Sequence, residues 1–224
     1  MVGSPLKSGP LETAEIITVG IDVGGPRKGF HAVALWGGHY WDKCSTANVQ
    51  ELAHWCHNTL NARVIGVDAP CRWSIDGHSR SAERQLMQMG ISCFSTPTRQ
   101  SAVEHPQNYY GWMLKGEELF QALLPRFPLL QNFPSDKKTF CFETYPHAIT
   151  WHLRGGNANA RQKRAQRREL LTGVGIDLSQ LTNIDLVDAA LCAFTAYHAA
   201  TGRDCACFGE AETGLILVPA RTNP

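Results

Sequence analysis

The chain has 224 residues, of which 43% are hydrophobic and 18% charged, a globular composition that excludes a disordered protein. The formal net charge is +1, so any surface that binds an anion must be local. No apolar run reaches the roughly 18 residues that a membrane span needs. The eight cysteines are scattered, several of them within apolar segments. We therefore expect free thiols, a reducing compartment and a cytoplasmic protein.

The first part of the chain predicts a compact α/β unit. Residues 1–14 lack an apolar core, so we expect a flexible lead-in and not a signal peptide. Alternating and β-branched apolar runs predict strands, and apolar residues at helical spacing predict a helix. In chain order these are three strands, a helix and a fourth strand, at 16–23, 29–36, 39–45, 47–60 and 62–70.

The rest of the chain is interpreted as an insertion followed by the end of the same domain. We expect this single domain to span residues 15–224. The stretch 71–136 is rich in Pro, Gly and Ser and is expected to carry two helices, the first capped by Ser79. A last core strand is predicted in KKTFCFETYP, with Thr144 capping the next helix. A basic helix, a long apolar helix and a terminal hairpin are predicted at 161–175, 183–202 and 207–219.

Four acidic residues stand at the ends of apolar segments: Asp22, Asp68, Glu143 and Asp188. The first three close short apolar runs, and the fourth lies near the start of the apolar helix. A carboxylate is costly to bury alone, and several at one sheet edge would repel each other without a cation between them. Hard oxygen ligands favour Mg²⁺ or Mn²⁺, so the pattern predicts a divalent metal site.

Most of these acidic residues also have a structural interpretation, but Asp188 is harder to explain in this way because no cation is next to it in the sequence. Asp22 before Gly-Gly could be a turn residue, and Asp68 could cap the end of its strand. Asp185 lies one helical turn before Asp188, so either or both could bind metal, or Asp185 could complement the helix N-terminus. Glu143 could form a structural ion pair with an arginine such as Arg80 or Arg84.

Several segments, taken in order, resemble the family catalogued as domain of unknown function 429. They are GIDVGG, VDAPCRWS, RSAER, ISCFSTPT, GWMLKGEELF, FETYPHA and DLVDAALCAFTAYHA. The resemblance covers nearly the whole chain after about residue 14. The family is described as a predicted nuclease of ribonuclease H-like fold. The resemblance therefore implies an α/β protein whose mixed sheet is flanked by helices. In such domains the metal-binding carboxylates lie on the first strand, on a neighbouring strand and on the last helix. The activity implied is itself an inference from fold.

The chemistry implied is two-metal phosphodiester hydrolysis of DNA or RNA. Asp22 would bridge the metals, Asp68, Asp185 and Asp188 would complete the site, and Glu143 would be a fourth catalytic carboxylate. Gly24 and Gly25 would let the substrate backbone come close. Junction-cutting members of the same fold act as dimers, which makes a homodimer an expectation.

Basic residues supply candidate substrate contacts. Arg80 and Arg84 lie four apart on a predicted helix, where they could hold a substrate phosphate or neutralise the acidic site. Lys115 is a further candidate, and Arg164 represents a basic helix that could follow a nucleic-acid backbone or be solvated surface. That helix carries Arg161, Lys163, Arg164, Arg167 and Arg168.

Two other functions compete with nuclease action. GIDVGG also resembles the phosphate-binding opening of actin-like ATPases and sugar kinases, but those enzymes usually need two such domains. A non-catalytic nucleic-acid-binding module is the other alternative, although the complete set of acidic residues argues against it. Nucleotide binding that stabilises the fold would indicate the former, and metal-independent, salt-sensitive binding of nucleic acid the latter.

Overall fold

The computed structural model describes residues 15–25 and 27–221, so the predicted lead-in 1–14 lies outside the described residues. The strands are β1 (Ile17–Val23), β2 (Phe30–Trp36), β3 (His39–Thr46), β4 (Val64–Asp68), β5 (Phe140–Glu143), β6 (Cys205–Glu210) and β7 (Gly214–Pro219). The α-helices are α1 (Val49–His54), α2 (Ser81–Gln88), α3 (Arg99–Glu104), α4 (Gly111–Leu123), α5 (Pro146–Leu153), α6 (Lys163–Gly173) and α7 (Ile184–Ala200). The fold is therefore mixed α/β, as the sequence predicts.

All seven strands form one mixed sheet in the order β3-β2-β1-β4-β5-β7-β6. The β1–β2 and β2–β3 pairs are antiparallel, and β1–β4 and β4–β5 are parallel. Short turns connect the antiparallel strands, whereas parallel neighbours require crossovers through helices. β4 and β5 are buried on both faces and accordingly read as continuous apolar runs.

Helix α7 packs directly on the backbone of the sheet. Gly20 of β1 and Gly66 of β4 are register partners, and both face this helix. A Cβ atom at Gly20 would lie 2.0 Å from the carbonyl oxygen of Ala189, and one at Gly66 would lie 2.8 Å from that of Cys192. The absence of side chains at these two positions lets α7 approach the sheet closely.

The opposite face of the sheet is covered by α1 and α4. Val19 and Ile21 of β1 belong to the same buried apolar cluster as Leu52 of α1 and Leu119 of α4. Successive side chains of a strand point to opposite faces. Val19 and Ile21 therefore face α1 and α4, and Asp22 shares the α7 face with Gly20.

Three local predictions were wrong. Arg80, not Ser79, is the N-cap of α2, because the Ser79 hydroxyl bonds Ser95 at 2.6 Å while the Arg80 N–H donates to Glu83 at 2.9 Å. Thr144 does not cap α5, because its hydroxyl donates to the Leu217 carbonyl at 2.7 Å. β5 is not the last core strand, because the fully buried β7 pairs with it in parallel.

Other expectations hold. The terminal hairpin forms from β6 and β7, the predicted helix at 47–60 continues from α1 into a π-helical turn, and the eight cysteines are free thiols. Within residues 15–25 and 27–221, no helix combines the length and the apolarity that crossing a membrane would require.

Candidate active site

Two aspartates meet at the carboxyl ends of neighbouring parallel strands. Asp22 of β1 and Asp68 of β4 are register partners. Each lies two residues after a glycine that faces α7, so both carboxylates are on the α7 side of the sheet. Parallel strands end at the same sheet edge, which is why residues 46 positions apart in the chain become neighbours.

Helix α7 adds two more carboxylates. Its first turn is fixed by the Asn183 side chain, which accepts a hydrogen bond from the Leu186 N–H at 2.8 Å. Asp188 is only 6% exposed and forms an ion pair with Arg167 of α6. One turn earlier, Asp185 accepts hydrogen bonds from Lys28 Nζ at both carboxylate oxygens, each at 3.2 Å. Each helix aspartate thus has its own cationic partner.

The carboxylates disturb one another's ionisation. Burial, followed by the charges of Asp188 and Asp185, raises the pKa of Asp22 from its usual 3.8 to about 7. Burial and then the charge of Asp22 raise the pKa of Asp68 well above its usual value. Burial also raises the pKa of Asp188, although Arg167 opposes this effect. The site therefore favours protons or a cation.

Asp22 is expected to make the stability of the metal-free protein depend on pH. Its pKa is higher in the folded than in the unfolded chain, so the folded state binds the additional proton and stability falls as pH rises from about 4 to about 7. In EDTA, Asp22→Asn should be more stable than wild type at pH 8, and the difference should shrink toward pH 4. Urea denaturation at several pH values measures this.

Asp136→Asn serves as the control, because Asp136 is exposed and lies outside this cleft. Its stability should follow that of wild type across the same pH range. Parallel profiles for wild type and Asp22→Asn would contradict the elevated pKa.

The four aspartates line one open cleft of about 490 Å³, together with three cationic side chains. The cations are Lys28, Lys163 and Arg167. Aromatic and imidazole groups complete the walls, which include Phe94, Trp112, Tyr145 and His147. The cleft therefore presents acidic, basic and apolar groups side by side.

The donor chemistry of the cleft suits a hard divalent cation, because carboxylate oxygens are the ligands that Mg²⁺ and Mn²⁺ prefer. As the side chains stand, no three His, Cys, Asp or Glu side chains converge to hold a metal ion anywhere in the part of the chain that the structure describes. Asp188 is engaged by Arg167. The ion pair uses Asp188 Oδ1, so a metal ion bound by Asp22, Asp68 and Asp188 would either share the Asp188 carboxylate with Arg167 or displace the guanidinium.

Glu143 belongs to a separate buried network beside the aspartates. Arg80 Nη2 and Nη1 donate to its two carboxylate oxygens at 2.6 and 2.8 Å, and the Cys71 N–H donates to it at 2.8 Å. Arg80 also donates to Glu83 at 2.8 Å. The ion-pair interpretation of Glu143 is thus the arrangement observed, and Arg80 contacts these carboxylates instead of lining the cleft.

The other predicted cationic contacts do not line the cleft. Arg84 donates to the Ser79 carbonyl, and Lys115 pairs with Glu118 at 2.6 Å. Arg164 is exposed on α6, while Lys163 and Arg167 of the same helix face the aspartates. Lys163 and Arg167 are four residues apart and share one helix face, but Arg164 and Arg168 have the same spacing, so the spacing alone does not indicate which pair faces the aspartates.

Four residues that line the cleft were not among the predicted site residues: Lys28, Phe94, Trp112 and Tyr145. Lys28 follows the Gly24-Gly25 turn after β1, and that proximity to Asp22 was a usable signal. Phe94 and Trp112 come from the inserted stretch 71–136, and Tyr145 precedes α5. Nothing in the local pattern of these segments indicates which of their aromatic residues face the aspartates.

Comparison with known proteins gives one positive result. Neither a curated protein nor a solved structure matches the chain significantly. A family model matches residues 20–213. The matched range includes the four aspartates and all of the sheet except the first three residues of β1 and the whole of β7. The chain therefore belongs to the family described as "Protein of unknown function (DUF429)".

Proposed function

We propose that this protein is a divalent-metal-dependent nuclease with a ribonuclease H-like fold. The order of the first five strands supports the fold, since β1 is central, antiparallel to β2 and parallel to β4. The carboxylates stand where such domains hold theirs, on the first strand, on its parallel neighbour and on the last helix.

The observation that carries the proposal is the pairing of Asp22 with Asp68 opposite Asp188 in one open cleft. Burial and then the charge of Asp188 raise the pKa of Asp22, and burial and then the charges of Asp22 and Asp188 raise the pKa of Asp68. Burying mutually repelling carboxylates lowers stability unless a ligand compensates them. A divalent cation of the Mg²⁺ class compensates them while leaving the cleft open to a substrate.

In this proposal different residues of the chain bind the metal and the substrate. Asp22, Asp68 and Asp188 would hold the metal, with Asp185 beside them. The metal, when bound, supplies an activated water and stabilises charge on the leaving oxygen. Lys28 and Lys163 would bind phosphate oxygens along the cleft. Arg167, which pairs with Asp188 and lines the cleft, would add a guanidinium to the cations that face the phosphate.

The test is a cleavage assay with labelled single strands, duplexes, RNA–DNA hybrids and branched junctions in Mg²⁺ or Mn²⁺. Wild type is expected to cut at least one of these substrates, and EDTA should abolish cutting. Asp22→Asn should reduce the rate by about 100-fold or more, because removing one member of a catalytic unit disables the rest.

The exposed Asp136→Asn variant is the matched control and should cut like wild type. Equal cutting by wild type and Asp22→Asn would indicate a contaminating nuclease and would contradict the proposal. Absence of cutting on every substrate would also contradict it, provided that calorimetry shows Mn²⁺ binding to wild type.

A further inference from the structure

An aromatic pair lies against the carboxylate cleft. Phe94, from the segment between α2 and α3, contacts Trp112 of α4 with ring centroids 6.0 Å apart and planes at 61°. Both rings line the cleft and also a smaller adjoining cavity of about 50 Å³. Asp68 lines both spaces as well, so the pair is next to the carboxylates.

Phe94 is a candidate ligand-binding residue because of its position in the cleft and not because of its exposure. Phe94 is 59% exposed, but single exposed apolar residues are common on proteins. Trp36, Trp41 and Tyr109 are exposed to similar degrees and do not line the cleft. Phe94 offers a ring to solvent where carboxylates and cations also converge, and Trp112, which packs against the core, contacts that ring.

The surrounding charges indicate what would lie on this ring. Lys28, whose side chain is 63% exposed, and Lys163 line the same cleft. Cations beside an exposed aromatic face are the combination that binds a single nucleic-acid strand, with phosphates on the cations and bases on the rings. The cleft volume of about 490 Å³ is within the range of sites that enclose small organic ligands.

The geometry favours an unpaired base over a duplex. In a duplex the faces of each base are covered by its neighbours, so a protein ring can stack on a base only after unstacking it. Phe94 is also a side chain of the cleft wall, adjacent to Asp68, which places a stacked base close to the carboxylates.

We propose that the Phe94–Trp112 pair stacks an unpaired nucleobase of a single-stranded nucleic acid whose backbone lies along the carboxylate cleft. This inference rests on the proposed function and specifies its substrate class. It assigns to Phe94 and Trp112 a role in substrate binding, distinct from the metal-binding role of the aspartates.

The test measures binding without cleavage. Full-length proteins carrying Asp22→Asn are titrated in Mg²⁺ against a fluorescent 12-nucleotide oligothymidine strand and a 12-base-pair duplex. Adding Phe94→Ala should weaken single-strand binding by about 5- to 150-fold, the range for losing one base–aromatic stack. Phe94→Trp should restore it, and the duplex should bind more weakly than the strand.

Trp41→Ala is the matched control. Trp41 is 52% exposed and contacts Trp36 with centroids 5.1 Å apart and planes at 64°, a similar pair at the far end of the sheet, where Trp36 is opposite Ile17. Trp41→Ala should change single-strand affinity by less than twofold. Thermal melting of every variant checks that the fold is retained.

Cleavage by proteins with Asp22 intact separates this inference from the nuclease proposal. If wild type binds Mn²⁺ but cuts nothing, and Phe94→Ala still weakens strand binding, the nuclease proposal fails and the stacking inference stands. If wild type cuts while Phe94→Ala binds the strand as tightly as its parent, or loses no more than Trp41→Ala, the stacking inference is overturned. Equal or tighter binding of the duplex also overturns it.

Discussion

Replacing Gly20 with alanine is expected to lower the free energy of unfolding by at least about 4 kcal/mol, an effect in the extreme range for one substitution. The added Cβ would lie 2.0 Å from the Ala189 carbonyl oxygen and 2.1 Å from the Ala193 nitrogen. Both are backbone atoms of α7, so no side-chain rotation relieves the overlap. The helix would have to leave the sheet, and Asp188 would move with it.

Urea denaturation with far-ultraviolet circular dichroism measures this change. Gly173→Ala is the control, because a Cβ there meets nothing within 4 Å and alanine at the end of α6 restricts the unfolded chain. It should leave stability unchanged or raise it by about 0.5 kcal/mol. A loss below about 1 kcal/mol for Gly20→Ala would mean that α7 does not pack on β1 as closely as described.

Arg80→Ala is expected to cost about 3–5 kcal/mol, the range for removing one partner of a buried ion pair. The side chains of Arg80, Glu83 and Glu143 are 1%, 2% and 5% exposed. Arg80 donates to both carboxylates, so its loss leaves two buried negative charges with no cationic partner from this position. Chemical denaturation at pH 7 provides the value.

A surface pair provides the comparison for Arg80→Ala. Arg154 donates to Glu169 at 2.8 Å, with side chains 27% and 72% exposed, and exposed pairs contribute only about 0–1 kcal/mol. Arg154→Ala should therefore cost less than about 1 kcal/mol. Similar losses for the two variants would show that the Arg80 network is solvated and not buried.

Much of the fold could be predicted from periodicity and strand-ending residues. The alternation of β1 and the continuous apolar run of β4 located both strands, and the carboxyl ends of parallel strands bring Asp22 and Asp68 together. The D-x-x-D spacing at the start of α7 placed Asp185 and Asp188 on one helix face, and all four aspartates line one cleft. Their catalytic roles remain predictions.

What could not be predicted depends on contacts between distant segments. β7 pairs with β5 through residues 73 positions apart, Glu143 and Ile216, and no local pattern specifies that partner. Whether Glu143 pairs with an arginine depended on where Arg80 lies in space, and its catalytic role remains a prediction. Phe94 comes from an irregular segment whose side-chain directions follow from packing alone.

The tethered positive charges of Arg167 and Lys28 have a consequence for how the protein would be loaded. Each pairs with one of the α7 aspartates, so the chain itself supplies counter-ions for Asp185 and Asp188, two of the four aspartates, and we expect it to fold without metal. In small metallodomains, by contrast, the free energy of metal binding is itself the free energy of folding. Under the proposed function, an entering cation would meet a guanidinium already paired with Asp188. We would then expect metal removal to stop cleavage without unfolding the protein.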